Sequence, residues 1–92
     1  MRIGIGYDIH RLVEGRPFPL GGVLLDHPRG PHGYSDGDTL AHAVIDALLG
    51  AACLGDIGQH FPPGDPEWRG ANSIDLLHRT VALVHASGLR VH

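Results

Sequence analysis

The amino-acid sequence predicts a single domain, residues 1–92, of the α/β (α+β) class, in which a mixed β-sheet has helices packed on one face. The chain opens with apolar residues that alternate with glycine, Ile3, Ile5 and Tyr7, which is the period of a half-buried strand. Two later stretches, 36–55 and 72–87, have the composition and spacing of helices. A length of 92 residues suits one small domain with a thin core.

The first strand is expected over residues 2–12. Gly4 and Gly6 lie on the face opposite the apolar residues, where they would let another part of the chain approach the backbone closely. If the strand continues, Asp8 and His10 point to the same side, because side chains alternate along a strand. The end of this strand therefore presents a carboxylate beside an imidazole.

Further strand signals are short. Leu20 to Leu25 indicates a second strand with a bend at Gly21-Gly22. Residues 26–33 are rich in Pro, Gly and His and indicate a loop that stays mobile until something binds it. Residues 89–92 alternate like the opening of a third strand, and the sequence then stops.

The stretch 36–55 predicts a helix that is buried on nearly every side, with Ser35 as its N-cap. His42 and Asp46 are its only strongly polar side chains between residues 40 and 54, and their spacing of four puts them on one face. A buried polar group without a partner costs roughly 1–3 kcal/mol. What satisfies His42 is therefore the main question that the sequence raises.

Residues 56–62 form a compact segment with about one helical turn, and the Pro- and Gly-rich stretch 63–70 indicates a loop. A second helix begins at residue 72 or 73 and runs to about residue 87, with Gly88 beyond its end. Its predicted apolar stripe consists of Ile74, Leu77, Val81 and Val84.

Composition excludes several classes of function. The net charge of −3, with scattered basic residues, gives no patch for nucleic acid. The sequence has no signal peptide and no apolar run of membrane-spanning length. The lone Cys53 excludes an internal disulfide and indicates a small core residue in a reducing, cytoplasmic compartment.

Asp8, His10 and His42 are the strongest candidates for chemistry. One carboxylate and two imidazoles would bind zinc, or another divalent metal that favours imidazole, and leave one coordination position open, as in catalytic zinc sites. Asp46 could accept the other ring N–H of a ligand histidine. The alternative is that Asp8 caps or pairs locally, His10 is exposed, and His42 is a hydrogen-bonded core residue.

Other candidates each have a structural alternative. Ser35 at a helix start could bind an anion or simply cap the helix. Asp56-Ile57-Gly58 offers a carboxylate and an approachable backbone, or is a turn with a capping aspartate. Residues 61–65 could wall a pocket or form a surface loop. Trp68 is expected to be a packing anchor.

Taken together, these segments resemble the 2-C-methyl-D-erythritol 2,4-cyclodiphosphate synthase family of the non-mevalonate isoprenoid pathway. The order and spacing of the matching motifs agree over essentially all 92 residues. The matching stretches are Arg2-Ile3-Gly4, Gly6 to Leu12, Leu20-Gly21-Gly22-Val23, Ser35-Asp36-Gly37-Asp38, His42 through Gly55-Asp56-Ile57-Gly58, Phe61-Pro62, Asp65-Pro66, and Trp68 with Gly70-Ala71.

The resemblance implies a chorismate-mutase-like topology, truncated here, and a zinc ion held by Asp8, His10 and His42. It implies cyclisation of 4-diphosphocytidyl-2-C-methyl-D-erythritol 2-phosphate with release of CMP, without a catalytic nucleophile or strong base from the protein. The substrate-binding residues that it implies are Asp8, Ile9, His10, Ser35, Asp56, Ile57, Gly58, Phe61 and Asp65.

The chain departs from the family pattern at Tyr34, where the family usually has histidine, and at Pro63-Gly64. It corresponds to the N-terminal part of the family's chain. The rest would carry most of the cytidine pocket, a second divalent ion (Mg or Mn) and much of a homotrimer interface. We therefore expect the 92-residue chain alone to be inactive and poorly stable, since it leaves sheet edges open. The alternatives are a non-catalytic remnant or trimer assembly module that keeps the metal site, and a metal hydrolase.

Overall fold

The computed structural model describes residues 1–92 and has an α+β architecture, which confirms the predicted class. Two small antiparallel sheets precede three helices, and the two long helices, α1 and α3, pack against each other. None of the three helices combines the length and apolar character needed to cross a bilayer. In chain order the elements are β1 (Leu12–Glu14), β2 (Phe18–Leu20), β3 (Val23–Leu25), β4 (Arg29–Pro31), α1 (Thr39–Ala51), α2 (Ile57–His60), a 3-10 turn (Pro66–Trp68) and α3 (Ser73–Ala86).

The strand pairing differs from the expected single mixed sheet. β1 pairs with β4, and β2 pairs with β3, both antiparallel, with Leu12 opposite Pro31 and Phe18 opposite Leu25. The predicted strand at residues 20–25 instead spans the turn of a hairpin, because Gly21 and Gly22 both have positive φ, 62° and 81°, and form a two-residue turn between β2 and β3. Short connections of this kind join antiparallel strands, whereas parallel pairing needs a long crossover.

The predicted loop at residues 26–33 contains a strand. β4 lies within it, and Gly30 and Pro31 are buried. His32 extends the pairing, because its backbone N–H donates to the carbonyl of Arg11 at 2.7 Å. The Pro, Gly and His content of this stretch favours a loop. The strand forms because it pairs with β1, whose residues lie 15 or more positions earlier, and local composition does not indicate that pairing.

The segment of residues 2–10, called the N-terminal segment below, pairs with neither sheet. Its glycines face α1, and a Cβ on Gly4 or Gly6 would overlap the carbonyl oxygen of Ala47 or Ala43. The predicted close approach to the glycine face is therefore present, and α1 makes it. The apolar face is exposed rather than half-buried: Ile3 and Ile5 are 87% and 91% accessible. Residues 89–92 have no strand partner either.

α1 is shorter than the predicted helix, and its N-cap is Asp38 rather than Ser35. The Asp38 carboxylate accepts the N–H of Ala41 at 3.0 Å and also the N–H groups of Gly21 and Gly22 at 2.9 and 2.8 Å. Burial opposes ionisation of Asp38, but these three donors outweigh it and hold the pKa below its ordinary value. One carboxylate therefore joins the β2–β3 turn to the start of α1.

The core lies between α1, α3 and the loop after α2. Ile45 and Leu49 of α1, Leu76 of α3 and Phe61 are its buried members. α1 is not buried on nearly every side, because Leu40 and Val44 are 49% and 38% exposed. Cys53 is exposed and lies beyond α1 with a φ of 57°, so it is not the expected core residue.

α2 and α3 match their predicted positions. Asn72 caps α3 by accepting the N–H of Ile74 at 2.9 Å, and Gly88, with a φ of 88°, follows its end. The buried face of α3 is shifted from the predicted stripe: its fully buried members are Ser73, Leu76, Thr80 and Val84. Two of these are hydroxyl residues, which a stripe of apolar residues does not include; each finds a hydrogen-bond partner, Thr80 in the carbonyl of Leu76.

Candidate metal centre

Asp8, His10 and His42 converge at one end of α1. Oδ2 of Asp8 lies 2.8 Å from Nδ1 of His10 and 3.4 Å from Nδ1 of His42. One ligand atom from each residue lies within 4.8 Å of the others. The first two residues come from the N-terminal segment and the third from the first turns of α1. Gly6 brings the two elements together, since only a residue without a side chain fits against the carbonyl of Ala43.

Oδ2 of Asp8 is inaccessible to solvent, and although two imidazole nitrogens lie near it, neither is in hydrogen-bond geometry with it. A buried carboxylate oxygen without a partner is costly, and a bound cation would satisfy it. Ligand atoms around tetrahedral zinc are separated by roughly 3.3 Å, given zinc–nitrogen and zinc–oxygen distances near 2.0–2.1 Å. The 3.4 Å distance from Asp8 to His42 lies close to that value and the 2.8 Å distance to His10 is shorter, and the donor set of one carboxylate and two imidazoles suits zinc.

The alternative interpretation of these three residues matches the structure only in part. Asp8 caps no helix, but it does pair locally, since its Oδ2 lies 2.8 Å from Nδ1 of His10. His10 is half-buried rather than exposed, and Gly33 lies so close to its ring that a Cβ there would be 3.1 Å from Cδ2. The third part of that alternative, a hydrogen-bonded His42 in the core, is compatible with metal binding because the imidazole has two nitrogens.

His42 is 7% exposed and uses both ring nitrogens. Nε2 lies 2.7 Å from Oγ of Ser73 and 3.2 Å from Oγ of Ser35, while Nδ1 faces Asp8. Burial lowers the pKa of His42 below its ordinary value, against the opposing charge of Asp8, so the ring is neutral near pH 7. A neutral imidazole is the form that binds metal.

Asp46 does not accept a ring N–H from His42. Its Oδ1 accepts the backbone N–H of Ile57 at 2.8 Å instead. Asp46 lies one helical turn beyond His42, so its carboxylate reaches the segment that follows α1 rather than the imidazole. Asp46 therefore fixes the start of α2, and Ser73 takes the place expected for Asp46 beside the histidine.

A cleft of about 200 Å³ opens beside the three converging residues. It includes six of the residues that the resemblance implies for substrate, and also Tyr34, which the sequence singled out as a departure. Trp68 both lines the cleft and packs edge-on against Phe61, at 5.0 Å between ring centres, as a packing anchor should. The full lining is Asp8, His10, Tyr34, Ser35, His42, Ile57, Gly58, Phe61, Pro63, Trp68 and Leu76.

Three of the residues expected to contact substrate do not line this cleft. Ile9 is exposed on the opposite side of the N-terminal segment, as strand-like alternation requires. Asp56 caps α2 by accepting the N–H of Gln59 at 2.9 Å. Asp65 caps the 3-10 turn by accepting the N–H of Glu67 at 3.0 Å. Leu76 was not expected at the cleft, and no local sequence signal separates it from the other apolar residues of α3.

Curated relatives and two of the solved structures that resemble the chain carry one name. The chain is 62% identical to 2-C-methyl-D-erythritol 2,4-cyclodiphosphate synthase of Symbiobacterium thermophilum, over 98% of this chain and 57% of that protein. A solved structure of 2C-methyl-D-erythritol-2,4-cyclodiphosphate synthase superposes with a TM-score of 0.88 at 53% identity, over 95% of this chain and 58% of the other. The CDP-bound form superposes with a TM-score of 0.86, at the same identity and coverage.

The chain spans a little over half the length of the curated relatives that it matches, between 54% and 59%. These similarities place residues 1–92 within one family along their whole length. Since the YgbB family matches the sequence across residues 1–92, the chain belongs to that family.

Proposed function

We propose that this chain carries the metal-binding part of a cyclodiphosphate synthase active site. The reaction converts 4-diphosphocytidyl-2-C-methyl-D-erythritol 2-phosphate into 2-C-methyl-D-erythritol 2,4-cyclodiphosphate and CMP. The relatives that match the chain bear the name of that synthase. The observation that carries the proposal is the solvent-inaccessible Oδ2 of Asp8, which lies between two imidazole nitrogens at the edge of the cleft and makes no hydrogen bond.

Asp8, His10 and His42 would hold one divalent ion, for which zinc is our choice from the donor set. A bound ion of this kind polarises a phosphoryl oxygen and offsets its negative charge. Because histidine ligates metal as the neutral imidazole, the three residues would supply one negative charge and two neutral donors. They therefore leave the ion a net positive charge toward the cleft. The cleft would receive the diphosphate of the substrate on that side.

The remaining work of the protein is to position the substrate. In the proposed reaction an oxygen of the 2-phosphate forms a bond to the β-phosphorus, and the bond from that phosphorus to the oxygen of the CMP leaving group breaks. Attacker and target belong to one flexible molecule, so a site that folds it into line removes much of the barrier. No protein nucleophile is needed for this step.

Three parts of the cleft would position the substrate. The hydroxyl of Ser35 would donate to a phosphate oxygen, and the backbone at Ile57 and Gly58 would contact the ligand closely. Phe61 would form an apolar wall. Each of these residues lines the cleft. Asp56 and Asp65 do not line the cleft and each use Oδ1 for a cap, so that Oδ2 would be available only to a part of the ligand that extends beyond the cleft.

Other features of the proposal concern a longer chain. A homotrimer and a second divalent ion, Mg or Mn, would require residues beyond the 92 of this sequence. We infer a cytoplasmic location, because the single cysteine has no partner for an internal disulfide. Nucleic acid and membranes are not among the partners that we propose; the partner is a small diphosphate.

The test follows CMP release and bound zinc in two proteins. One is the 92-residue chain, and the other is that chain extended by the part of the Symbiobacterium thermophilum relative that the match leaves uncovered. We expect no CMP from the first and CMP with the cyclic product from the second. Zinc bound equally by His42→Ala and by the unchanged chain would overturn the ligand assignment.

The same assay separates the other two functions. Zinc binding without turnover in the extended chain would indicate a non-catalytic remnant or assembly module, and would reject the synthase proposal. Release of inorganic phosphate without a cyclic product would indicate a metal hydrolase. A Tyr34→His variant tests whether the departure at this position limits turnover, because imidazole can carry a positive charge beside the phosphates and phenol cannot.

A further inference from the structure

A series of hydrogen bonds leads away from the metal centre through the buried Ser73. Oγ of Ser73 lies 2.7 Å from Nε2 of His42, and it also lies within hydrogen-bond distance of Oδ1 of Asp36. Ser73 is 0% exposed and is the first residue of α3. These hydrogen bonds therefore connect α1, α3 and the loop before α1 at Ser73.

The Asp36 carboxylate in this chain is itself fixed by the backbone. Its Oδ2 accepts the N–H of Ser73 at 3.0 Å, and its Oδ1 accepts the N–H of Asp38 at 3.0 Å. The backbone N–H of Asp36 donates to the carbonyl of Ala71 at 3.0 Å, which holds the loop against the start of α3. An ionised carboxylate has acceptor atoms only, so its bond with Ser73 Oγ takes the hydroxyl proton of Ser73.

The direction of the Ser73 hydroxyl proton determines which ring nitrogen of His42 carries a hydrogen. A serine hydroxyl has one hydrogen, and here it is directed to Asp36, so Oγ can only accept from the imidazole. Nε2 of His42 must then carry a hydrogen. In the neutral ring the lone pair lies on Nδ1, the nitrogen that faces Asp8.

Ser35 is a second possible hydrogen-bond partner of His42 Nε2, and it would favour the other tautomer. Oγ of Ser35 lies 3.2 Å from the same Nε2 and accepts the N–H of Gly37 at 3.3 Å, but no acceptor of its own proton is found. Without Ser73, Ser35 could donate that proton to Nε2. The ring would then carry its hydrogen on Nδ1, which points into the metal centre and cannot bind a cation.

We propose that Asp36 and Ser73 are positioning residues that hold His42 in the tautomer with hydrogen on Nε2, and so present Nδ1 to a divalent cation. This inference rests on the proposed function for its purpose, but the tautomer itself is a property of the metal-free protein. A consequence is that the hydroxyl proton of Ser35 stays free to donate to a phosphate in the cleft.

The experiment measures the tautomer and the metal affinity separately. The protein is labelled with ¹⁵N-histidine, and the ring nitrogens of His42 are assigned by nuclear magnetic resonance at about pH 8, where a histidine of ordinary or lowered pKa is neutral. Zinc affinity is measured by competition with a chromophoric chelator. Both measurements are made on the 92-residue chain and on the extended chain described above.

The variants are Ser73→Ala, Ser73→Thr and Asp36→Asn, with Thr80→Val as the matched control. Thr80→Val also removes a buried hydroxyl from the same face of α3, but that hydroxyl donates to the carbonyl of Leu76 and does not touch His42. We expect hydrogen on Nε2 in the unchanged protein and in Thr80→Val. In Ser73→Ala we expect hydrogen on Nδ1 in a measurable fraction of molecules and roughly 10–100-fold weaker zinc binding.

Rescue by the conservative variant distinguishes positioning from simple destabilisation. Ser73→Thr keeps the hydroxyl and is expected to restore both the tautomer and the affinity, whereas Asp36→Asn should lose both in part. Hydrogen on Nδ1 in the unchanged protein would overturn the inference, as would a Ser73→Ala protein with unchanged tautomer and affinity. Failure of the proposed function looks different: His42→Ala would bind zinc as well as the unchanged protein, while the tautomer result would stand.

Discussion

The carboxylate of Asp46 accepts the backbone N–H of Ile57 at 2.8 Å, so α1 directly holds the segment that forms one side of the cleft. The same helix carries His42 one turn earlier. The two walls of the cleft, one with the candidate metal ligands and one with the backbone of Ile57 and Gly58, are therefore fixed to a single rigid element. Because His42 and Asp46 are separate residues of α1, a substitution at one can change metal binding and a substitution at the other can change ligand binding.

We expect Asp46→Ala to raise the KM of the extended chain for the proposed diphosphate substrate by about tenfold or more, because loss of a hydrogen bond to a charged acceptor costs roughly 1.5–3 kcal/mol and releases the start of α2. Zinc content should stay unchanged, since Asp46 makes no hydrogen bond to His42. Steady-state kinetics of CMP release and metal analysis check the two parts. Asp46→Asn keeps an acceptor and should bind nearly as the unchanged protein does; loss of zinc from Asp46→Ala would contradict this account.

Asp38 predicts a specific dependence of stability on pH. Its pKa is lowered in the folded chain, because three backbone donors outweigh the effect of burial. Its contribution is therefore complete above its unfolded pKa, near 3.9, and is lost as the pH falls through the lower folded value. We expect Asp38→Asn to lower the free energy of unfolding by roughly 2 kcal/mol near pH 7. The difference from the unchanged chain should shrink below about pH 4; urea unfolding at several pH values measures it, and a difference that is constant down to about pH 2 would reject it.

Gly6→Ala tests how the N-terminal segment is held. The added Cβ would overlap the carbonyl oxygen of Ala43, so the segment that carries Asp8 and His10 must move away from α1. We expect zinc affinity to fall by at least tenfold, since a metal site needs ligand positions within a few tenths of an ångström. Gly50→Ala is the control, because its Cβ meets nothing within 4 Å and it lies within α1. That substitution should leave zinc affinity unchanged and raise stability by up to about 1 kcal/mol.

Zinc itself should stabilise the fold. An ion that binds only the folded chain adds roughly 2.7 kcal/mol at a free concentration of 100 times its Kd. We expect the thermal midpoint of the unchanged chain to rise with added zinc and to fall again with a chelator. His42→Ala, measured in parallel, should show no such rise, and an equal rise in both proteins would mean that zinc binds elsewhere.

The candidate metal centre could be predicted from the sequence because its parts are local. Two ligands share one side of an alternating segment, and the third is an isolated polar residue on an apolar helix. The partners of His42 beyond the metal could not be predicted in this way. Ser73 reaches it from the start of another helix, and no spacing within α3 indicates which of its residues meets α1.

The errors in the predicted elements have the same origin. Ser35 is a good N-cap residue by type, but the chain enters α1 three residues later, where Asp38 also binds the turn of the β2–β3 hairpin. The sequence predicts a loop at β4, because its pairing partner, β1, is distant in sequence. The N-terminal segment was predicted as a strand from its alternation, yet it lies against a helix through its glycines and leaves its isoleucines exposed. Tertiary contacts, rather than local propensity, decided each case.

The contact of Gly4 and Gly6 with α1 also bears on how the chain resists digestion. No strand pairs with the N-terminal segment. Two of the three candidate ligands therefore lie on a segment that a bound cation would link to α1. The N-terminal segment should then separate from α1 only when the ion dissociates. A protease that cuts after Tyr7 should accordingly act slowly on the zinc-loaded chain and quickly once a chelator is added.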